Sequence, residues 1–172
     1  MTPKTCALAL LASAIFFAAA GQSQEKEIAM VPVKYDGLKQ EVLKHRGKVL
    51  LVDFWGGFCL PCKKKMPEII ELQRKLADQG LAVITVSIDV PDDLERVKAA
   101  NKFLNTIKSP FRNLLLDEPS DVWEKKLDLG SVPCYYVFDR RGKWVRYRAV
   151  DFPDGINFAD VEKTIMRMLA EK

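Results

Sequence analysis

Residues 50–67 read LLVDFWGGFCLPCKKKMP, and this stretch decides how the rest of the chain is organised. Its first half belongs to KVLLVDFW (48–55), a near-continuous apolar run with enough β-branching for a strand buried on both faces. Two glycines follow. Then Cys59-Leu60-Pro61-Cys62 leads into CKKKMPEIIELQRKLADQG (62–80), where Met66, Ile69, Ile70, Leu72 and Leu76 recur at helical spacing before Gly80. Cys59 is therefore expected just past a strand end and Cys62 in the first turn of a helix. Open α/β sheets place chemistry at the carboxyl ends of their strands. A helix N-terminus adds unpaired N–H groups and partial positive charge, which stabilise a thiolate and lower its pKa. Pro61 suits the opening turn, where no N–H is needed. Pro67 is expected to kink the helix rather than end it, because the apolar periodicity continues beyond it. Lys63, Lys64 and Lys65 either add positive charge to the site or form a solvated helix face.

Outward from this stretch, elements alternate. YDGLKQEVLKHRG (35–47) carries Leu38, Val42 and Leu43 at helical spacing and ends at Gly47. LAVITVSIDV (81–90) reads as a second buried strand, and PDDLERVKAANKFLNTI (91–107) as a helix opened by Pro and two acids. RNLLLD (112–117) is a short strand and EPSDVWEKKLDLG (118–130) a brief helix. CYYVFD (134–139), the turn RRGK and WVRYRAV (144–150) form a hairpin, and NFADVEKTIMRMLAEK closes the chain as a helix with one apolar face. From the strand at 48–55 onward the order β-α-β-α-β-α-β-β-α implies parallel pairs joined by right-handed crossovers, with antiparallel strands added late. The expected fold is α/β: a central mixed sheet flanked by helices on both faces.

At 172 residues the chain suits one domain with a sizeable core. A net charge of +4, with basic and acidic residues interleaved, argues against a nucleic-acid partner. Residues 1–20 combine a short basic start, an apolar stretch from Cys6 to Ala20 and three closing alanines, the layout of a cleaved signal peptide. The apolar stretch falls short of the roughly 20 residues needed to span a bilayer, so contact with a membrane is expected only if the leader is retained. Residues 21–34 are expected to be a tether and 35–172 the folded domain. Cleavage would leave Cys59, Cys62 and Cys134 in a periplasmic or secreted protein, a compartment that permits disulfides.

The segment around the two cysteines resembles the active-site segment of the thioredoxin superfamily. Asp53, Phe54, Trp55, Phe58, Cys59, Pro61, Cys62, Lys63 and Pro67 stand in register with the family's pattern. Phe58 replaces the common Trp, and Leu60 replaces the first Gly of the Gly-Pro pair between the cysteines. GSVPCYYVFDRRGK (130–143) is similar to the family's segment with a cis-proline, here Val132-Pro133, which faces the cysteines. The leader and the extra strand-helix unit at 81–112 are similar to the exported TlpA/ResA-like branch.

The resemblance implies a thioredoxin-like fold and thiol-disulfide exchange with protein substrates, with no cofactor beyond a redox-active Cys59–Cys62 disulfide. It implies attack by Cys59, resolution by Cys62 and proton transfer through Asp53 as a buried acid. Trp55, Phe58, Pro61, Val132 and Pro133 would form the substrate surface. A membrane-borne electron donor or acceptor would reset the pair, and reduction of exported proteins, as in cytochrome c maturation, follows by analogy.

Other chemistries remain to be weighed. Structural zinc wants four ligands, and the chain without its leader offers three Cys and His45. A redox-inert bridge across two residues closes too short a loop to stabilise much. A peroxidatic enzyme would want a further cysteine motif, and none stands outside the pair. Cys134, directly after Pro133, is a small buried residue, a third redox thiol, or the third ligand of a Cu(I) site with Cys59 and Cys62. Copper delivery is thus the alternative function. Lys34, Arg112 and the DRRGK turn read as surface charge.

Overall fold

A computed structural model describes residues 27–171, and the expected signal peptide lies outside them. Six strands form one mixed sheet: β1 (Val31–Val33), β2 (Val49–Trp55), β3 (Leu81–Ser87), β4 (Arg112–Leu116), β5 (Cys134–Phe138) and β6 (Trp144–Arg148). Their order across the sheet is β1-β4-β3-β2-β5-β6. The pairs β1–β4, β4–β3 and β3–β2 are parallel, whereas β2–β5 and β5–β6 are antiparallel. Five helices cross between them: α1 (Tyr35–Leu43), α2 (Leu60–Leu76), α3 (Leu94–Thr106), α4 (Ser120–Leu127) and α5 (Phe158–Ala170). Pro67 lies inside α2, as the periodicity beyond it implies.

Side-chain alternation along β2 separates two faces. Leu50, Val52 and Phe54 point into a core shared with Leu38 of α1, Trp123 of α4 and Cys134. Val49, Leu51 and Trp55 point the other way, against α2, α3 and α5. That side holds two clusters, one around Ile69, Val161 and Ile165, the other around Cys59, Cys62, Met66 and Leu104. Every residue of β2 is buried, as its uninterrupted apolar run requires.

One expectation is corrected at the amino end. Residues 31–33, expected within a tether, form the edge strand β1 and pair with Leu114–Leu116. Upstream of it, Asn105 and Asn101 of α3 accept from the backbone N–H groups of Ile28 and Met30, each at 2.9 Å. Pro32 is tolerated because it sits in an edge strand with its ring exposed. Within the DRRGK turn, Arg140 is more than surface charge: its guanidinium donates to the carbonyls of Met168, Leu169 and Glu171. Those carbonyls at the end of α5 lack partners within the helix, and a cation there also complements the helix dipole.

Candidate active site

Strand β2 delivers the chain to the site and α2 carries it away. Cys59 is the N-cap of α2, and its Sγ accepts from the N–H of Cys62 at 3.3 Å. The two sulfurs are joined in a disulfide with an S–S distance of 1.97 Å. Cys59 is 5% and Cys62 1% exposed, so the amino-terminal cysteine is the more accessible, by a small margin. Sulfur at a helix N-cap lies where partial positive charge and free N–H groups concentrate, which favours Cys59 as the thiolate once the bridge is opened.

Gly56 and Gly57 make this turn feasible. A Cβ on Gly56 would come within 2.5 Å of the Phe58 ring, and one on Gly57 would press on Ala100 and on the Asp89 carboxylate at 3.3 Å. Asp89, in the loop after β3, is 2% exposed. Its Oδ2 accepts from the N–H of Gly57 and from the Ser87 hydroxyl, both at 2.7 Å. This carboxylate ties the turn before Cys59 to the end of β3, and sequence reading did not single it out. It sits in the turn-rich DVPDD, where Pro and two acids read only as a helix start.

Asp53 lies on the α2 face of β2 between Leu51 and Trp55, below the stretch of α2 that buries Cys62, Met66 and Ile69. It is 1% exposed, and neither carboxyl oxygen has a hydrogen-bond partner. Its cross-strand neighbours are Thr85 and Tyr135. The Thr85 hydroxyl is directed to Asn113, 2.8 Å away. With no donor to offset desolvation, burial pushes the Asp53 carboxyl up to about 7.

Val132-Pro133 is a cis peptide, and Val132 packs against the cluster that contains Cys59 and Cys62. Phe58 is 57% and Leu60 58% exposed, and Pro61 is also open to solvent. Trp55 departs from expectation. It is fully buried against Phe103, with ring centroids 5.7 Å apart, so it is a packing residue beneath the pair and not part of a rim. Leu60, noted in the sequence only as a replacement for glycine between the cysteines, takes the rim position instead. On α2, Lys63 lies over the Phe103 ring and Lys65 pairs with Glu68 at 2.6 Å, while Lys64 is solvated.

Cys134 also departs from the sharper expectations. It pairs in register with Phe54, and its side chain lies in the core on the opposite face of the sheet from Cys59 and Cys62. Burial pushes its thiol up to about 12. The three sulfurs do not converge, and among the described residues no group of three His, Cys, Asp or Glu side chains is placed to hold a metal ion. Nothing here favours the three-thiolate arrangement.

Comparison with known proteins places the chain. The AhpC/TSA family model matches residues 24–148. The chain belongs to the AhpC/TSA family. The thiol-disulfide oxidoreductase ResA of Bacillus cereus is 37% identical over 111 residues, which are 64% of this chain and 60% of the relative. The thioredoxin domain of a thiol-disulfide oxidoreductase from Bacteroides vulgatus is 25% identical, with a TM-score of 0.55 over 81% of this chain and 94% of that one. A thioredoxin family thiol:disulfide interchange protein from Chlorobium tepidum superimposes with a TM-score of 0.53 at 17% identity, covering 74% of this chain and 83% of that one. The fold is thioredoxin-like. The chain spans only about 60% of the ResA sequences it matches.

Proposed function

We propose that this protein is an exported thiol-disulfide oxidoreductase that reduces disulfides in exported proteins, those of apocytochrome c among them. The observation that carries this is a Cys59–Cys62 disulfide whose first sulfur caps a helix at the carboxyl end of a buried strand. In the reduced protein, the Cys59 thiolate attacks a substrate disulfide. One substrate sulfur leaves as thiolate and the other joins Cys59 in a mixed disulfide. Cys62 then gives up its proton and attacks the Cys59 sulfur. The second substrate thiolate is released, and the Cys59–Cys62 bridge carries away the oxidising equivalents. Asp53, titrating near 7 beneath α2, suits the role of acceptor for the Cys62 proton.

A protein substrate fits the surroundings of the pair. Phe58 and Leu60 flank Cys59, and Val90 and Leu94 continue from the loop that Asp89 ties to the same turn; all four are more than half exposed. Exposed apolar side chains gathered at a reactive bond suit an extended chain better than a small polar thiol. A membrane-borne electron donor would return the bridge to the dithiol. Export is supported by the apolar stretch at 6–20. No helix among the described residues is long and apolar enough to cross a membrane.

The test is turnover of a protein disulfide under dithiothreitol, together with trapping. Wild-type protein should accelerate insulin reduction. A Cys62→Ser variant should accumulate a mixed disulfide through Cys59. Absence of both acceleration and trapped adduct would remove the catalytic proposal.

A further inference from the structure

The sheet face opposite the redox pair is covered by two short helices, α1 and α4, and it is not fully closed. Between these helices and the β5–β6 hairpin lies a cavity of ≈ 420 Å³, within the roughly 300–1,000 Å³ usual for small-molecule sites. Its lining is apolar: Val42 and Leu43 of α1 and Phe138 of β5 reach solvent, above the close-packed Leu50, Val52 and Phe54 of β2 and the ring of Tyr136. The Tyr136 hydroxyl is already spent on the carbonyl of Leu127, so the lining offers ring faces and methyl groups. Trp144, 52% exposed and 5.1 Å from the Tyr136 ring, forms one wall.

The mouth is cationic. Lys39, Arg46, Lys48, Lys126 and Arg146 line it, against a single acid, Asp139. Asp139 is turned into its own turn, accepting from the N–H groups of Arg141 and Lys143. Arg146 is held by Asp128 at 2.8 Å. Lys39, Arg46, Lys48 and Lys126 have no ion pair among the described residues, and Lys126 stands over the Tyr35 ring instead. Four uncompensated cations around an apolar lining favour an occupant with a negative head and an apolar body.

We propose that this cavity binds a small amphipathic organic anion, a medium-chain carboxylate, with its apolar body against Val42, Leu43, Phe138 and Trp144 and its head among Lys39, Arg46, Lys48 and Lys126. Site and redox pair lie on opposite faces of the sheet, so binding needs neither Cys59 nor Cys62.

The test is titration of the full chain with decanoate below its micelle concentration, read by tryptophan fluorescence. Decanol, decylamine and anionic phospholipid vesicles are titrated in parallel. Expected is a saturable one-to-one response that Trp144→Phe removes and Cys59→Ser retains, with decanoate favoured over decanol and decylamine. Lys39→Glu combined with Lys126→Glu, both at the cavity mouth, should weaken decanoate about ten-fold and leave decanol and disulfide exchange unchanged. Lack of saturation, equal or tighter binding of decylamine, or a response to vesicles without one to decanoate would overturn the proposal. If the double variant does not fold, the ranking of the three ten-carbon probes on wild-type protein decides alone.

Discussion

Cys59 and Cys62 lie on one face of the sheet and Cys134 on the other, and burial does not separate them. All three are at most 5% exposed. What differs is the company each sulfur keeps. Cys59 takes the N–H of Cys62 at a helix terminus and is flanked by exposed apolar side chains. Cys134 sits against Phe54 and Leu129 in a core whose desolvation raises its thiol to about 12. A thiol becomes a nucleophile through local dipoles and an open approach, and burial in hydrocarbon without them silences it.

The sharpest break of this contrast is removal of sulfur from each face. Cys59→Ser should abolish disulfide exchange, a loss of more than about a thousand-fold, since Cys62 is buried behind it and Cys134 lies in the core of the other face. The matching Cys134→Ala should stay within about two-fold of wild type in the same insulin assay, as expected for a residue outside the reacting atoms.

Asp53 sharpens the same comparison through pH. Its folded pKa of about 7 exceeds the unfolded value of 3.8, so between them the folded state keeps a proton that the unfolded chain has lost. Stability therefore falls as pH rises through that window and stays lower above it. Asp53→Asn should be stabilised at pH 8 by up to about 4 kcal/mol, since each pH unit between the two values costs the wild type about 1.4 kcal/mol, and the gain should vanish below pH 4. Urea unfolding at both pH values measures it. The same variant should slow resolution of the mixed disulfide.

Asp89 offers a smaller effect. Asp89→Ala leaves the part-buried Gly57 N–H without its acceptor, at a cost of about 1 kcal/mol. It should also slow alkylation of Cys59 in the reduced protein. Asp89→Asn keeps an oxygen for Gly57 and places its amide where Oδ1 now has no partner, so both stability and alkylation rate should return. Alkylation unchanged in the alanine variant would confine Asp89 to a stabilising role. The smallest effect is on labelling of Cys134, which should stay unmodified by iodoacetamide at pH 8 while Cys59 reacts.

Much of the molecule was legible because its local signals agree with the global fold. β2 reads as doubly buried and is; α2 begins at the cysteines and runs through Pro67; the late hairpin supplies the antiparallel edge. What was not legible depended on partners distant in sequence. VPV at 31–33 has too few residues to signal a strand, and only the Leu114–Leu116 edge makes it one. Asp89 acquires its place through Gly57, far upstream in the chain. Trp55 adjoins the pair in sequence, but alternation along β2 aims it at Phe103 rather than at solvent. Leu60 takes the rim because the turn of α2 that buries Cys62 turns Leu60 outward. Arg140 looked like one charge among several in its turn until α5 returned to meet it.

The antiparallel seam between β2 and β5 has a consequence for the order in which the chain is made. β2 gains β3 as a neighbour soon after synthesis, with only α2 between them, but its other edge waits until two further strands and two helices have followed. A nascent chain therefore carries both cysteines long before the strand that follows Pro133 reaches the ribosome exit. Contacts so distant in sequence close late. The proposed exchange site is thus assembled in two instalments, the helix-capping sulfur first and the surface opposite it last.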